Sequence, residues 1–503
     1  MKTLKNCRFL LPVLLIFCFL LSACTGNPVS TVTTGTESEP AARQDSETTV
    51  TAPATDLTSE TEGLPELPDD KFSGIFNILI KGDSWSPATA IYQEEASDIA
   101  SVDAVWRRCD RIKNQYGVEI SVVPDSDTVS KLRRDVKSGD NAFDAVITYM
   151  PAIAACAANG TLMDLQEVDG IDLSQPYWDQ SSVKSLSIGN KLFYAASDII
   201  TTDDDATWTM LFNKKMAEKY DIEDLYQVVR DGRWTFDYFY SLIKEGISED
   251  NGDNVWDHLD TYAFASHRDM SLGFFYGAGL TFVSKDADNL PYIDNSNAEK
   301  IQKVLEYSLS VMRENHIALD GHKWLHVNNT TLVSLDAFSD GRALFFCDIL
   351  YHVIGLRSMN TDFGILPLPK YDEKQEEYIT FVNPAASLVG VPIYQKNNNN
   401  ARRSGVILEA MAYYGHELIM PEYIERAIKN KSTRDPDSKE MIDILLNNRV
   451  YDLGLINDWG GISSEYENLV FNNQSDFASM YKKREKSAKN ALTKFLNNIE
   501  KLK

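Results

Sequence analysis

Strand and helix patterns alternate over residues 75–149, and this alternation constrains the fold more than any other feature of the sequence. Residues 75–80, IFNILI, form a short apolar run that is typical of a buried strand. Apolar residues then recur at helical spacing up to Gly117 and again up to Gly139, and a strand pattern follows each helix. The order β-α-β-α-β predicts a parallel sheet flanked by helices, and hence an α/β fold.

The carboxyl ends of these strands are the first candidate binding site. Ligands of open parallel sheets sit in the crevice beyond the carboxyl ends of the strands. Here those ends are residues 82–85, GDSW, and residues 149–151, YMP. We therefore expect Trp85 and Tyr149 to lie close to a bound ligand.

Beyond residue 180 the predicted strands and helices follow no regular alternation. Strands are expected near residues 192–195 and 207–213, with an acidic loop between them, and a basic helical tail with a solvated outer face begins at Lys482. Further helix and strand patterns occupy residues 301–312, 345–346 and 363–366. About 430 residues follow the N-terminal region, which is enough for two or three domains.

Charge and cysteine content exclude several functions. The formal net charge of −25 argues against a nucleic-acid partner, because phosphates require a basic surface. It also argues against an electrostatic attachment to anionic lipid. The sequence contains no C-x-x-C pair and no Cys/His cluster, so a zinc site is not expected.

The N-terminus carries the marks of a secretory signal. Three basic residues precede the apolar residues 9–21, which are too few for a comfortable membrane span of about 20 residues. The following Leu-Ser-Ala-Cys24 resembles the lipobox of bacterial lipoproteins. We predict a signal peptide (1–23), a lipid anchor on Cys24 and a disordered linker (24–71) rich in Thr, Ser and Glu. An ordinary signal peptide with a nearby Cys is the alternative.

Several stretches, in order, carry a family resemblance: RIKNQYGVEISVV, GDNAFDAVITYMP, AANGTLMDL, LFNKKMAEKY, DLYQVVRDGRWTFDYF, FSDGRALFFCD, FGILPLPKYDE and ASLVGVPIY. From about Phe72 onward the chain resembles extracellular solute-binding proteins of the carbohydrate-uptake class, relatives of the maltose-binding protein. The resemblance implies a two-lobe periplasmic-binding-protein-like fold, each lobe a sheet flanked by helices, with a hinge between. Lobe 1 would comprise 72–180 and 380–430, and lobe 2 would comprise 181–379 and 431–503.

A sugar ligand would need aromatic rings for its apolar faces and carboxylates for its hydroxyls. Two candidates, Asp348 and Tyr351, lie in the stretch that resembles the family's second-lobe cleft segment. Glycines beside Trp459 would let backbone approach a ligand. Packing at strand ends and a solvated acidic loop are the alternatives. The full candidate set is Trp85, Tyr149, Asp203, Asp205, Trp208, Asp348, Tyr351 and Trp459.

Residues 249–260, EDNGDNVWDHLD, resemble a calcium loop of the EF-hand type. The pattern departs from that motif in having Glu at its first position, Asn254 at the turn and a short Asp at the end. An acidic surface turn is the alternative, and the role of the ion would be structural. The expected ligands are Glu249, Asn251, Asp253, Val255, Asp257 and Asp260.

The sequence thus predicts an extracytoplasmic, lipid-anchored monomer that binds a carbohydrate and delivers it to an ABC permease. A surface receptor or sensor, or a protein that holds glycan at the cell surface, with the same site and not coupled to transport, is the alternative. We do not expect an enzyme, because G-x-S-x-G, H-E-x-x-H and P-loop motifs are absent from the sequence. No cofactor is required by this interpretation.

Overall fold

A computed structural model of the chain describes residues 64–501 with short gaps. The gaps are residues 245–247, 315, 325, 328–329, 357–358, 398–399 and 429–435. The predicted signal peptide, the lipid anchor at Cys24 and the linker up to residue 63 lie outside the described residues.

Short strands and longer helices alternate along the described chain. The strands are β1 (Ile75–Ile80), β2 (Glu119–Pro124), β3 (Ala145–Tyr149), β4 (Trp208–Asn213), β5 (Tyr262–Ser266), β6 (Val283–Lys285), β7 (Pro291–Ile293), β8 (Ala318–Asp320), β9 (Ala343–Ile349), β10 (Phe363–Leu366), β11 (Thr380–Phe381), β12 (Ser387–Gly390) and β13 (Arg449–Val450).

The helices cover the faces of the sheets. They are α1 (Ala100–Tyr116), α2 (Thr128–Ser138), α3 (Met150–Ala158), α4 (Gln180–Leu186), α5 (Thr202–Asp205), α6 (Lys214–Lys219), α7 (Leu225–Arg230), α8 (Phe236–Lys244), α9 (Met270–Gly277), α10 (Ala298–Met312), α11 (Thr330–Ser339), α12 (Leu350–Gly355), α13 (Tyr394–Asn397), α14 (Ala401–Tyr414), α15 (Met420–Ile428), α16 (Pro436–Asn447), α17 (Leu453–Asn457), α18 (Ile462–Phe471) and α19 (Phe477–Glu500).

The first sheet confirms the predicted β-α-β-α-β unit. Its order is β12-β3-β1-β2; β1 runs parallel to both β2 and β3, and β12 adds to β3 in the antiparallel direction. The helices α1 and α2 end where the sequence predicts, because Gly117 and Gly139 adopt the left-handed conformation with φ of 75° and 76°.

The second sheet has the order β10-β4-β9-β5-β8. Its central strand β9 pairs antiparallel with β4 and parallel with β5. The strands predicted at residues 207–213, 345–346 and 363–366 therefore belong to one sheet. Nearly all their residues are buried, which explains their continuous apolar sequences.

Two predicted local structures are wrong. Residues 192–195 form no strand; Ala195 alone exchanges backbone hydrogen bonds with Val389 of β12. An apolar run of four residues does not distinguish a strand from a buried irregular segment. The acidic stretch is the short helix α5 instead of a solvated loop, and Asp203 and Asp204 in it are buried.

The chain ends in the long helix α19, as the basic tail predicts. Within the described residues, none of the helices combines the length and the apolar character that crossing a membrane requires. The lobe boundaries near residues 180, 380 and 430 stay a prediction.

Candidate functional site

The carboxyl ends of the two sheets meet in one group of polar and aromatic side chains. Asp83 and Trp85 follow β1, and Tyr149 ends β3 of the first sheet. Tyr351 and His352 lie in α12, directly after β9 of the second sheet. We call these five residues the strand-end cluster.

Asp83 organises the first-sheet half of the strand-end cluster. Its Oδ1 accepts hydrogen bonds from the backbone N–H groups of Trp85 (3.2 Å) and Ser86 (3.0 Å). Its Oδ2 accepts one from the Tyr149 hydroxyl at 2.5 Å. One carboxylate therefore fixes the loop that carries Trp85 and also the tyrosine on the neighbouring strand. Burial, and then the hydrogen bond to Asp83, raise the pKa of Tyr149.

Trp85 and Tyr351 join the two halves of the cluster. The Trp85 Nε1–H donates to the carbonyl oxygen of Ala385 at 3.0 Å, which holds the indole in place. The ring centroids of Trp85 and Tyr351 lie 5.1 Å apart in an edge-to-face arrangement. Tyr351 is 48% exposed and Trp85 is half-buried, so both rings keep accessible surface.

Beneath Tyr351, the carboxylate of Asp348 lies between two histidines. Its Oδ2 is 3.2 Å from Nε2 of His267 and 3.1 Å from Nδ1 of His352. Burial raises the pKa of the Asp348 carboxyl, but the two imidazoles outweigh burial and lower it below its ordinary value. Asp348 is thus an ionised, buried group that orients His352, whose side chain is 19% exposed.

Trp208 lies behind this group in the core. It is 1% exposed, stacks on Phe381 with ring centroids 5.3 Å apart, and contacts the His267 ring at 5.6 Å. The alternative that the sequence left open, packing at a strand end, describes this placement.

The acidic helix α5 belongs to a separate ionic group. Asp204 Oδ1 is 2.7 Å from Nη1 of Arg449, and Asp203 Oδ2 is 3.5 Å from the same nitrogen. Arg449 also pairs with Asp179, and all four side chains are at most 10% exposed. We call these four residues the buried acid cluster. Asp205, the next residue, is half-buried.

Trp459 is 6% exposed and packs against Phe495 of α19 with ring centroids 5.2 Å apart. The neighbouring Gly460 has φ of 72°, and a Cβ there would lie 2.5 Å from the backbone nitrogen of Ala488. The close backbone approach expected at these glycines is therefore made to α19.

The predicted calcium loop is held together by its own hydrogen bonds. Asp260 is 1% exposed, and its two carboxylate oxygens accept from the backbone N–H groups of Asn251 and Asp257. Glu249 pairs with Lys219 at 3.0 Å. The described residues contain no group of three or more acidic, His or Cys side chains arranged to hold a metal. Calcium binding stays a prediction, which thermal unfolding in calcium and in chelator would check.

The structure adds residues that sequence analysis did not select. Asp83 stands in the strand-end stretch GDSW, so its position at the end of β1 could have identified it. His267 and Arg449 gave no such signal, because each meets its acidic partner across a long separation in sequence. His352 directly follows the candidate Tyr351, but no motif selected it. Trp178 and Trp234, which are not in the candidate set, are fully buried.

Comparisons with known proteins bear on the family and on the fold. A family model described as bacterial extracellular solute-binding protein matches residues 110–322. The search of curated proteins gives no match. Among solved structures, UspC of Mycobacterium tuberculosis superposes with a TM-score of 0.54 at 15% identity, covering 83% of this chain and 100% of UspC.

Two further structures are similar over most of their length. A cyclo/maltodextrin-binding protein in complex with maltotetraose has a TM-score of 0.51 at 14% identity, covering 87% of this chain and 98% of that protein. UgpB from Mycobacterium tuberculosis, in complex with glycerophosphocholine, has a TM-score of 0.50 at 14% identity, covering 81% and 96%. At such low identity these structures establish the fold alone.

The α/β fold of two sheets flanked by helices is shared with these binding proteins, as the sequence predicts. The resemblance of this chain to the bacterial extracellular solute-binding proteins is therefore confirmed, on the family match at residues 110–322 and on the common fold.

Proposed function

We propose that this chain is an extracellular lipoprotein that binds a sugar or oligosaccharide between its two lobes and delivers it to an ABC importer. The observation that carries the proposal is the approach of Trp85 and Tyr351, which follow strands of different sheets and meet with ring centroids 5.1 Å apart. Aromatic side chains from both sheets thus converge on one place.

The chemistry of the strand-end cluster suits a sugar. Indole and phenol rings can cover the apolar C–H faces of a pyranose, and carboxylates and hydroxyls can bind its ring of hydroxyl groups. Trp85 and Tyr351 supply the rings, and Tyr149, which Asp83 holds in place, supplies a hydroxyl. The acidic character of Asp83 favours hydroxyl groups over a phosphate ligand.

Binding would be coupled to lobe closure. The two rings are in van der Waals contact, so a sugar ring enters between them only when the lobes move apart. A ligand that then touches residues of both lobes stabilises the closed form by its differential contacts. The importer would recognise that closed form. In this mechanism Trp85 and Tyr351 contact the ligand, whereas Asp83 and Asp348 position contact residues.

The lipid anchor completes the proposal. Acylation at Cys24 would hold the protein at the membrane, because two acyl chains are sufficient for stable attachment. The acidic, Thr- and Ser-rich linker would separate the binding domain from the bilayer. Mass spectrometry of the protein isolated from its native membrane would detect the acylated cysteine.

A ligand panel tests the binding function. The panel should include oligosaccharides and glycerophosphodiesters, since one similar structure holds maltotetraose and another holds glycerophosphocholine. Thermal unfolding of residues 25–503 should shift upward with at least one oligosaccharide, since a ligand that binds only the native state stabilises it. A shift with glycerophosphodiesters alone would contradict the sugar assignment, and sugar turnover would favour an enzyme.

Matched tryptophan variants locate the binding site. Trp85→Ala should abolish the ligand-induced shift because it removes the ring fixed at the strand-end cluster. Trp256→Ala is the control, since Trp256 is a 37% exposed tryptophan in the loop between α8 and β5. Loss of the shift in both variants, or in neither, would contradict the proposed site.

A surface receptor that passes the ligand to a sensor would use the same site. Uptake of labelled oligosaccharide by cells with and without the protein separates the two functions. Uptake that depends on the protein supports transport.

A further inference from the structure

The outer face of α19 carries a line of exposed lysines. Between residues 477 and 501 the sequence has seven basic and two acidic residues, in a chain whose formal net charge is −25. The exposed lysines are Lys482, Lys483, Lys486, Lys489, Lys494 and Lys501. At 1.5 Å per residue the helix is about 36 Å long. With 3.6 residues per turn, these lysines lie on one side of the helix axis. We call them the lysine stripe.

The opposite face of α19 fixes the orientation of the lysine stripe. Apolar side chains along that face are buried, among them Phe477, Leu492 and Phe495. Near the C-terminal end, the Asn498 side chain donates to the carbonyl oxygen of Ala158 at 3.2 Å. The helix therefore cannot rotate about its axis without exposing apolar surface, and its lysines face solvent as a set.

Within the described residues, most lysines of the stripe form no ion pair with an acidic side chain. Lys489 pairs with Glu485 at 2.6 Å, whereas no ion pair joins Lys482, Lys483, Lys486 or Lys494 to any residue in the described part of the chain. Unpaired cations that project from one helix of an acidic protein form a local positive surface. Since the Debye length is about 8 Å at physiological ionic strength, the distant negative charges do not cancel it.

We propose that the lysine stripe is a docking surface for an anionic lipid bilayer. This inference rests on the lipid-anchored location in the proposed function, which keeps the folded domain near a membrane. The net charge of the whole chain argues against electrostatic attachment to anionic lipid. That argument does not apply to the lysine stripe, because attraction to a bilayer depends on the charges that face the bilayer.

The composition of the helix favours a bilayer over nucleic acid. Lysine is a hydrated point charge that suits headgroups at many positions, whereas arginine and stacking aromatic residues are typical of nucleic-acid sites. The exposed residues between the lysines are small or polar, such as Ser487, Asn490 and Thr493. The contact is therefore peripheral and electrostatic, without insertion of apolar side chains.

Vesicle co-sedimentation tests the proposal. The protein is residues 25–503, unacylated, which retains every residue that the structure describes. It should bind vesicles of equal parts phosphatidylglycerol and phosphatidylcholine, release them in high salt, and ignore pure phosphatidylcholine. Each lysine near an anionic surface strengthens partition by about fivefold, so K482Q/K483Q/K486Q should weaken binding by about 100-fold.

The control variant makes the same charge change elsewhere. K137Q/K303Q/K374Q removes three exposed lysines from other parts of the surface and should bind vesicles like the unmodified protein. Equal losses in both variants would overturn the docking surface, as would binding to a soluble polyanion without binding to vesicles. The vesicle assay contains no sugar, so a negative result does not bear on sugar binding. A negative ligand panel, in turn, does not bear on vesicle binding.

Discussion

The strand-end cluster and the buried acid cluster both contain aspartates, but the two clusters differ in how exposed their side chains are and in which partners those side chains have. In the buried acid cluster, Asp203 and Asp204 pair with Arg449, and every side chain is at most 10% exposed. In the strand-end cluster, Asp83 binds backbone and Tyr149, while Tyr351 remains 48% exposed. In the buried acid cluster the charged side chains pair with one another, whereas in the strand-end cluster Tyr351 presents its ring to solvent.

This difference shows that the burial and the partners of a side chain, more than its residue type, decide whether it can bind a ligand or only stabilises the fold. A buried ion pair stabilises only while each charge keeps its partner. A ring that a hydrogen bond already fixes in the free protein, as in Trp85, loses little further freedom when a ligand binds, which lowers the entropy cost of binding. Variants that remove one partner at a time from each cluster should therefore give different signatures.

The largest effect is expected at Arg449. Arg449→Met removes the cation that pairs with three buried carboxylates, so the free energy of unfolding should fall by about 3–5 kcal/mol. Urea unfolding followed by circular dichroism measures it. Arg233→Met is the matched control, because Arg233 pairs with Glu223 in solvent and should be nearly neutral. Similar losses in the two variants would show that burial does not distinguish these pairs.

Sequence analysis predicted the first sheet almost completely, because its signals are local. The strand β1, the helices α1 and α2, and their terminal glycines Gly117 and Gly139 follow from spacing and from turn chemistry. The antiparallel strand β12 could not be placed on β3 from local pattern, since the two are more than 200 residues apart in the chain.

The site was less predictable for the same reason. Trp85 and Tyr149 lie at strand ends that the pattern identifies, so the sequence could select them. The pairing of Trp85 with Tyr351, and of Asp203 with Arg449, depends on tertiary contacts between segments separated by more than 240 residues. Sequence patterns carry no information on which of several acidic residues meets an arginine.

A smaller effect is expected at Asp83. Asp83→Ala removes the acceptor for two backbone N–H groups and for the Tyr149 hydroxyl, so stability should fall by about 2 kcal/mol. Ligand affinity should fall as well, because the loop carrying Trp85 loses its support. Asp83→Asn keeps an acceptor and should recover part of both losses. Unchanged affinity in Asp83→Ala, measured by calorimetry, would contradict a positioning role.

The same substitution, Tyr→Phe, can be made at each of the two clusters. Tyr149 donates to Asp83 at 2.5 Å, and Tyr451 donates to Asp203 at 3.2 Å. Removal of either hydroxyl by Tyr→Phe should cost about 1 kcal/mol of unfolding free energy. Only Tyr149→Phe should weaken ligand binding in titration calorimetry. Weaker binding in Tyr451→Phe would place the buried acid cluster within the ligand site.

The last contrast between the two regions is in the pH dependence of stability. Burial, and then the neighbouring Asp204, raise the pKa of Asp203 well above 3.8, so the native state retains a proton that the unfolded chain releases. This contribution to stability is lost as pH rises from 3.8 through the folded pKa. In contrast, His267 and His352 outweigh burial and lower the pKa of Asp348, whose contribution is present above 3.8 and lost as pH falls.

Asparagine variants separate these opposite slopes. Asp203→Asn should flatten the decline in stability above pH 3.8, and Asp348→Asn should flatten the decline below it. Urea unfolding across the acid range measures both slopes in the same buffers. Because Asn cannot titrate, a slope that survives its substitution belongs to another group. If both variants changed the stability on the same side of pH 3.8, the pKa values of Asp203 and Asp348 would be shifted in the same direction. That result would contradict the opposite shifts described here.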